Sequence, residues 1–236
     1  MSSTWRRAAA ALVADLRQIF SGRLRSLVAY GPRIEGADDT PLTCLALVDS
    51  CTTGDLEACA RLAHHWERHA LAVPLILPEQ EFRRSLDAFP LEYGEIMRAH
   101  ELVFGTNPFE GASIPREDLR RACETQIKSH LVHLREGFIQ AAGRPQAVAD
   151  LVAASASAFA SLLRNVARLT GAPASTRSEA THEGARAAGL PAGVVADILA
   201  LERPTTFPAG DAARLFPAYL SAVEHLARVV DTWRDS

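Results

Sequence analysis

Four groups of residues in this 236-residue chain have the types and spacing to do chemistry. The first is Arg33, set in the run Gly31-Pro32-Arg33-Ile34-Glu35-Gly36. A guanidinium beside a glycine turn suits an anion, which its planar fork can hold through two parallel hydrogen bonds. The second is Glu117, Glu124, Lys128 and Arg135. On a helix turning 100° per residue they share a stripe about 40° wide, bordering the apolar face. Such a stripe is either a set of helix-supporting ion pairs, with Glu124 and Lys128 in the favourable order, or a polar wall facing a cleft. The third is His65 and His69, four apart on a helix, but two ligands are too few for a closed metal site, and a solvated face is the expected reading. The fourth is Cys44, Cys51, Cys59 and Cys123, which contain no Cys-x-x-Cys pair and read as reduced, structural thiols. His130 falls on an apolar helix face and reads as a core histidine.

The elements that must position Arg33 lie within residues 24–49. Leu27-Val28-Ala29 and Cys44-Leu45-Ala46-Leu47-Val48 are short apolar runs bounded by turn residues, the pattern of buried strands. Residues 5–21 precede them as a helix with Leu12, Leu16, Ile19 and Phe20 on one face. A helix over 56–70 and a third strand over 71–77 follow, with Pro74 marking that strand as an edge or a bulge. Residues 91–102 read as a helix, and the turn-rich 105–112 as a boundary. The remainder is helical throughout. Pro115 opens a long helix to Ala142, Pro145 opens another that ends at Gly171, and three more are expected over 178–188, 191–202 and 211–233. The expected fold class is α+β, a small α/β sheet domain over 1–112 followed by an all-α bundle over 113–236.

The stretch from Tyr30 onward resembles the nucleotidyltransferase superfamily, in the branch of the kanamycin nucleotidyltransferases and the small MNT-type antitoxins. That pattern is a strand ending in Phe-Gly-Ser, then Arg-x-x-Gly, a polar loop, and Asp-x-Asp opening the next strand. Here Tyr30-Gly31 stands for Phe-Gly, and Arg33 and Gly36 match the arginine and second glycine. Pro32 replaces the serine, and the two aspartate positions fall on Thr43 and Leu45. In the family the paired carboxylates hold magnesium against a nucleotide triphosphate, because magnesium takes hard, charged oxygen ligands. Thr43 offers one neutral hydroxyl and Leu45 none, and Pro32 also removes an N–H from the loop. The resemblance therefore implies a nucleotidyltransferase fold with degenerate catalytic positions, no catalytic or metal-ligating residues, and magnesium only if the protein were active. It also implies an α/β domain and a helical domain across a cleft. There Gly31, Arg33 and Gly36, with Glu124, Lys128 and Arg135, would meet an anionic or nucleotide-like small molecule.

Bulk properties narrow the function classes. Net charge is −3, with 11 basic and 15 acidic residues in 1–112 and 14 and 13 in 113–236. Neither half is a basic nucleic-acid surface, and no basic stripe carries interleaved aromatics. Trp5-Arg6-Arg7 and the following alanines have the outline of a signal peptide, but Asp15 and Arg17 break the apolar run early. No apolar run reaches the roughly 18 residues of a membrane span. The expectation is a cytoplasmic protein with no nucleic-acid or membrane partner. Three classes stay open: a degenerate transferase that binds a ligand, a protein-interaction module (with a partner or as a homodimer), and an enzyme using relocated carboxylates such as Glu35, Asp38 or Glu79.

Overall fold

The computed structural model describes residues 4–37, 40–202 and 208–234. Asp38 and Asp39 of the polar loop lie outside these, as does most of the expected loop 204–208. The chain divides into two compact units, Met1–Pro115 and Arg116–Ser236.

In the first unit α1 (Thr4–Phe20) leads through a short 3-10 turn into β1 (Leu24–Tyr30). β2 (Thr43–Val48), α2 (Thr53–Arg68), β3 (Leu75–Pro78), α3 (Glu79–Arg84), α4 (Pro90–Arg98) and β4 (His100–Gly105) follow. The sheet order is β3-β2-β1-β4, with β1 antiparallel to both neighbours and β2 parallel to β3 through the α2 crossover. The α+β expectation holds, and so does the pair of strands flanking the glycine loop.

Two elements differ from the sequence reading. The helix expected over 91–102 ends at Arg98, and His100–Gly105 is a strand. Leu102-Val103-Phe104 is apolar enough for either state, and the open edge of β1 supplies backbone partners that a longer helix would waste. The third strand is also shorter than expected. Leu71 makes one isolated bridge to Leu42, and the ladder starts only after Pro74, which has no N–H to give. β3 does lie at the sheet edge.

The sheet separates two cores. On one face Leu27, Ala29, Cys44, Ala46 and Val48 pack with Leu12, Leu16, Phe20, Cys59 and Trp66 from α1 and α2. Trp66 Nε1 donates to Asp15 at 2.9 Å, tying those helices together. α2 starts in a capping box between Thr52 and Asp55, and Arg23 grips the Asp55 carboxylate through two bonds of 2.8 and 2.7 Å. On the other face Val28, Leu45 and Leu47 pack under Phe82, Tyr93, Ile96 and Phe109. Burial pushes the Cys44 thiol up to about 12, which leaves it inert.

The second unit is helical: α5 (Arg116–Ala141), α6 (Pro145–Thr170), α7 (Arg177–Ala187), α8 (Ala192–Ala200) and α9 (Ala209–Thr232). α6 is its core. By length and composition it could cross a membrane, yet Val152, Phe159, Leu163, Val166 and Leu169 are fully buried inside the unit. α7 approaches α6 so closely that a Cβ on Gly184 would lie 1.8 Å from the Leu163 carbonyl oxygen.

Candidate functional site

The loop after β1 is closed by its own backbone. Ile34 N–H donates to Gly31 O, Glu35 and Ala37 N–H both donate to Pro32 O, and Gly36 N–H donates to Arg33 O, at 3.0–3.4 Å. Gly31 and Gly36 have φ of +84° and +104°, a region that only glycine enters cheaply. Arg33 is half-buried beside them, and its Nη1 donates to the Thr40 carbonyl at 2.7 Å. Arg98, from α4, reaches Glu35 at 2.7 Å and Glu95 at 3.5 Å, clamping the loop to the helix. Gly31, Arg33 and Gly36 are thus brought into one compact turn.

Thr43 and Leu45 follow on the sheet face that carries Tyr30 and Val28, their register partners. Thr43 Oγ1 donates to the Tyr30 carbonyl at 2.6 Å. Leu45 is fully buried among Val28, Leu47, Phe82, Tyr93, Ile96 and Phe109. The cap above it is aromatic and ordered edge-to-face, with Phe82 5.0 Å from Tyr93 and 5.7 Å from Phe109. Ser85 and Tyr93 share a hydroxyl–hydroxyl bond of 3.0 Å that holds α3 to α4.

The charged stripe of α5 is internally paired. Lys128 bonds Glu124 and reaches Asp231 of α9 at 3.4 Å, while Arg135 reaches Glu224 of α9 at 2.8 Å. Arg120 joins Glu117 at 3.0 Å and Glu124 at 2.9 Å. The ammonium of Lys128, with Arg120, holds Glu124 below the usual carboxylate range. Glu124, Lys128 and Arg135 therefore brace α5 against α9. His65 and His69 are exposed, with ring centroids 4.3 Å apart. Among the described residues no three of His, Cys, Asp and Glu gather as metal ligands. Of the relocated carboxylates considered from sequence, Glu35 is held by Arg98 and Glu79 by Arg83 at 2.9 Å.

No family model matches the sequence, and no curated protein matches it. Among solved structures, the crystal structure of the spectinomycin adenyltransferase AAD(9) from Enterococcus faecialis with ATP and spectinomycin is similar. The TM-score is 0.59 at 11% identity, over 92% of this chain and 98% of that one. The fold is that of a nucleotidyltransferase.

Within the nucleotidyltransferase fold, sequence reasoning missed the aromatic cap. Phe82, Tyr93, Ile96 and Phe109 stand in separate short segments, so no single periodicity announces that they converge. The one signal was local: Phe82 and Phe89-Pro90 flank short helices whose apolar sides need a surface. His130 proves more connected than a core histidine. Its Nε2 lies 2.8 Å from Tyr219 Oη, which also meets Ser155 Oγ at 3.1 Å. Burial pushes the His130 imidazole down to about 4, so it is neutral at pH 7.

Proposed function

We propose that this nucleotidyltransferase-fold protein does not carry out metal-dependent nucleotidyl transfer and is retained as a binding module. It belongs, on Tyr30-Gly31, Arg33 and Gly36, with the kanamycin nucleotidyltransferase and MNT-type antitoxin branch. The observation that carries the reading is the environment of Leu45. Magnesium needs several oxygen ligands in near-octahedral array, with carboxylates supplying charge. Leu45 supplies no oxygen and is sealed under Phe82, Tyr93, Ile96 and Phe109, while the Thr43 hydroxyl is spent on the Tyr30 carbonyl. These residues do not fit the ion, and no step is derived through it.

The ligand is an anionic or nucleotide-like small molecule, and Arg33 on the glycine loop is its main contact. A guanidinium carries five N–H donors in a planar fork and holds phosphate in bidentate fashion, which suits Arg33 beside the glycine turn to an anion. The decisive experiment is calorimetry with ATP and GTP in EDTA, on the wild type and on Arg33→Ala. Binding that needs no magnesium and is lost in the variant supports the reading. Equal binding by both proteins removes Arg33 from the site, and no binding by either leaves the fold as a surface for a protein partner or a second copy. Transfer of labelled nucleotide to any acceptor, abolished by the chelator, overturns the loss of catalysis.

A further inference from the structure

The helical unit carries an open groove of about 380 Å³ along the seam of α5 and α6, with Ser129, His133, Ala154 and Ala158 exposed at its mouth. One wall is polar and comes from α5: Gln126, His130 and His133. The other comes from α6, where Ala154, Ser155 and Ala158 stand at the middle. On α6 the seam row runs 151, 155, 158, 162, with leucine at both ends and short side chains between. Leu151 closes one end by lying over Gly137, where a Cβ would be 2.5 Å from Leu151 Cδ1. Protein seams otherwise fill to crystal-like density, so this row leaves room where Ala and Ser replace Leu.

The chemistry of the walls selects the occupant. Among the described residues no Asp, Glu, Lys or Arg lines the groove. Burial keeps His130 neutral, so it offers no cation to a carboxylate or phosphate. Tyr219 fixes its Nε2, and among the described residues its Nδ1 makes no hydrogen bond within the protein. Gln126 Oε1 accepts from Asn165 Nδ2 at 2.8 Å, which turns the Gln126 amide so that its NH₂ remains to donate. At about 380 Å³ the groove has room for a molecule of about two fused rings lying along it, one face still toward solvent. Pockets of this size with an apolar lining and a few fixed polar groups are ordinary small-molecule sites.

We propose that the open α5–α6 groove binds an uncharged, largely apolar molecule of about two fused rings, oriented by one hydrogen-bonding group that meets Gln126 and His130. The site shares no residue with the Arg33 loop and is independent of the function proposed above. The test uses the full chain and two probes of matched shape, 2-naphthol and the anionic 2-naphthoate, at pH 7.5 in calorimetry and thermal unfolding. The expected result is saturable one-to-one binding of 2-naphthol, with naphthoate at least about tenfold weaker because its carboxylate is partly desolvated against a lining that holds no cation to pair it. Ala158→Phe, and separately Ala154→Leu, fill the groove from its exposed rim and abolish binding, while Arg33→Ala leaves it unchanged. Absence of saturable 2-naphthol binding, equal affinity for naphthoate, or undiminished binding in a folded filled variant each overturns the assignment.

Discussion

The Thr43 hydroxyl donates to the Tyr30 carbonyl across the β1–β2 pair, at 2.6 Å, and so sits directly over the glycine that opens the loop. A Cβ on Gly31 would lie 2.8 Å from that same oxygen, on a residue whose φ is already +84°. The hydroxyl thus acts as a clasp on the turn. Gly31→Ala is expected to cost about 1–2 kcal/mol for the left-handed backbone, and more for the contact. Chemical denaturation measures it, and Gly31→Ala with Thr43→Ser should not recover the loss, because serine keeps the oxygen.

Leu45 offers the most direct test of the sealed sheet face. Leu45→Ala removes a fully buried side chain under the aromatic cap and is expected to cost about 2–5 kcal/mol. Leu45→Asp buries an unpaired carboxylate and should cost more, beyond about 4 kcal/mol. The double change Thr43→Asp with Leu45→Asp is therefore expected to unfold the first unit rather than to create magnesium-dependent transfer. A stable double variant with such activity would show the cap to be readily displaced.

Two glycines report separately on the two units. At Gly105, φ is +77° and a Cβ would meet the Arg25 carbonyl oxygen at 1.9 Å; at Gly184 the contact is with Leu163 O at 1.8 Å. Backbone cannot yield as a side chain end does, so alanine at either site is expected to cost about 3 kcal/mol or more. Hydrogen exchange should show lost protection in β1 and β4 for Gly105→Ala and in α6 and α7 for Gly184→Ala.

His130 predicts an acid dependence of the second unit. Its pKa lies near 4 in the fold against an ordinary 6.5, so the unfolded chain binds the proton more readily. Stability should be constant above about pH 6.5, fall as pH drops from there toward 4, and level off below for this group. The gap corresponds to at most about 3 kcal/mol. Burial is the main cause of the lowered pKa, and the charge of a protonated His133 adds to it. His130→Gln should flatten that part of the profile in urea titrations between pH 4 and 7, and a slope unchanged in the variant would assign it to other groups.

The α2 cap supplies a last check. Thr52 accepts from Asp55 N–H and Asp55 receives Thr52 N–H, with Arg23 on the same carboxylate. Thr52→Ala is expected to cost about 1 kcal/mol. The Arg23 guanidinium, then Thr52, hold Asp55 well below the usual carboxylate range. Its contribution should therefore persist to low pH and disappear only under strongly acid conditions, and Asp55→Asn should remove that acid-resistant part.

The sequence by itself determined the strands around the glycine loop and the helices of the second half. Leu27–Ala29 and Cys44–Val48 are short apolar runs between turn residues, and the 3.6-residue spacing of Cys123, Ile127 and Leu134, or of Val152, Phe159 and Val166, has one local solution. Helix-supporting charge was legible for the same reason, since Glu124 and Lys128 are neighbours on any helix. Only the tertiary structure decided what those elements meet. Residues 100–105 became a strand because β1 had an open edge, an event recorded 70 residues away. Asp231 and Glu224 of α9 took up Lys128 and Arg135, and Tyr219 found His130 across 89 positions. The covering of Leu45 by Phe82, Tyr93, Ile96 and Phe109 is of the same kind. Periodicity states which face of an element is apolar, whereas burial of that face is a property of pairs of elements, and no local pattern encodes the pairing.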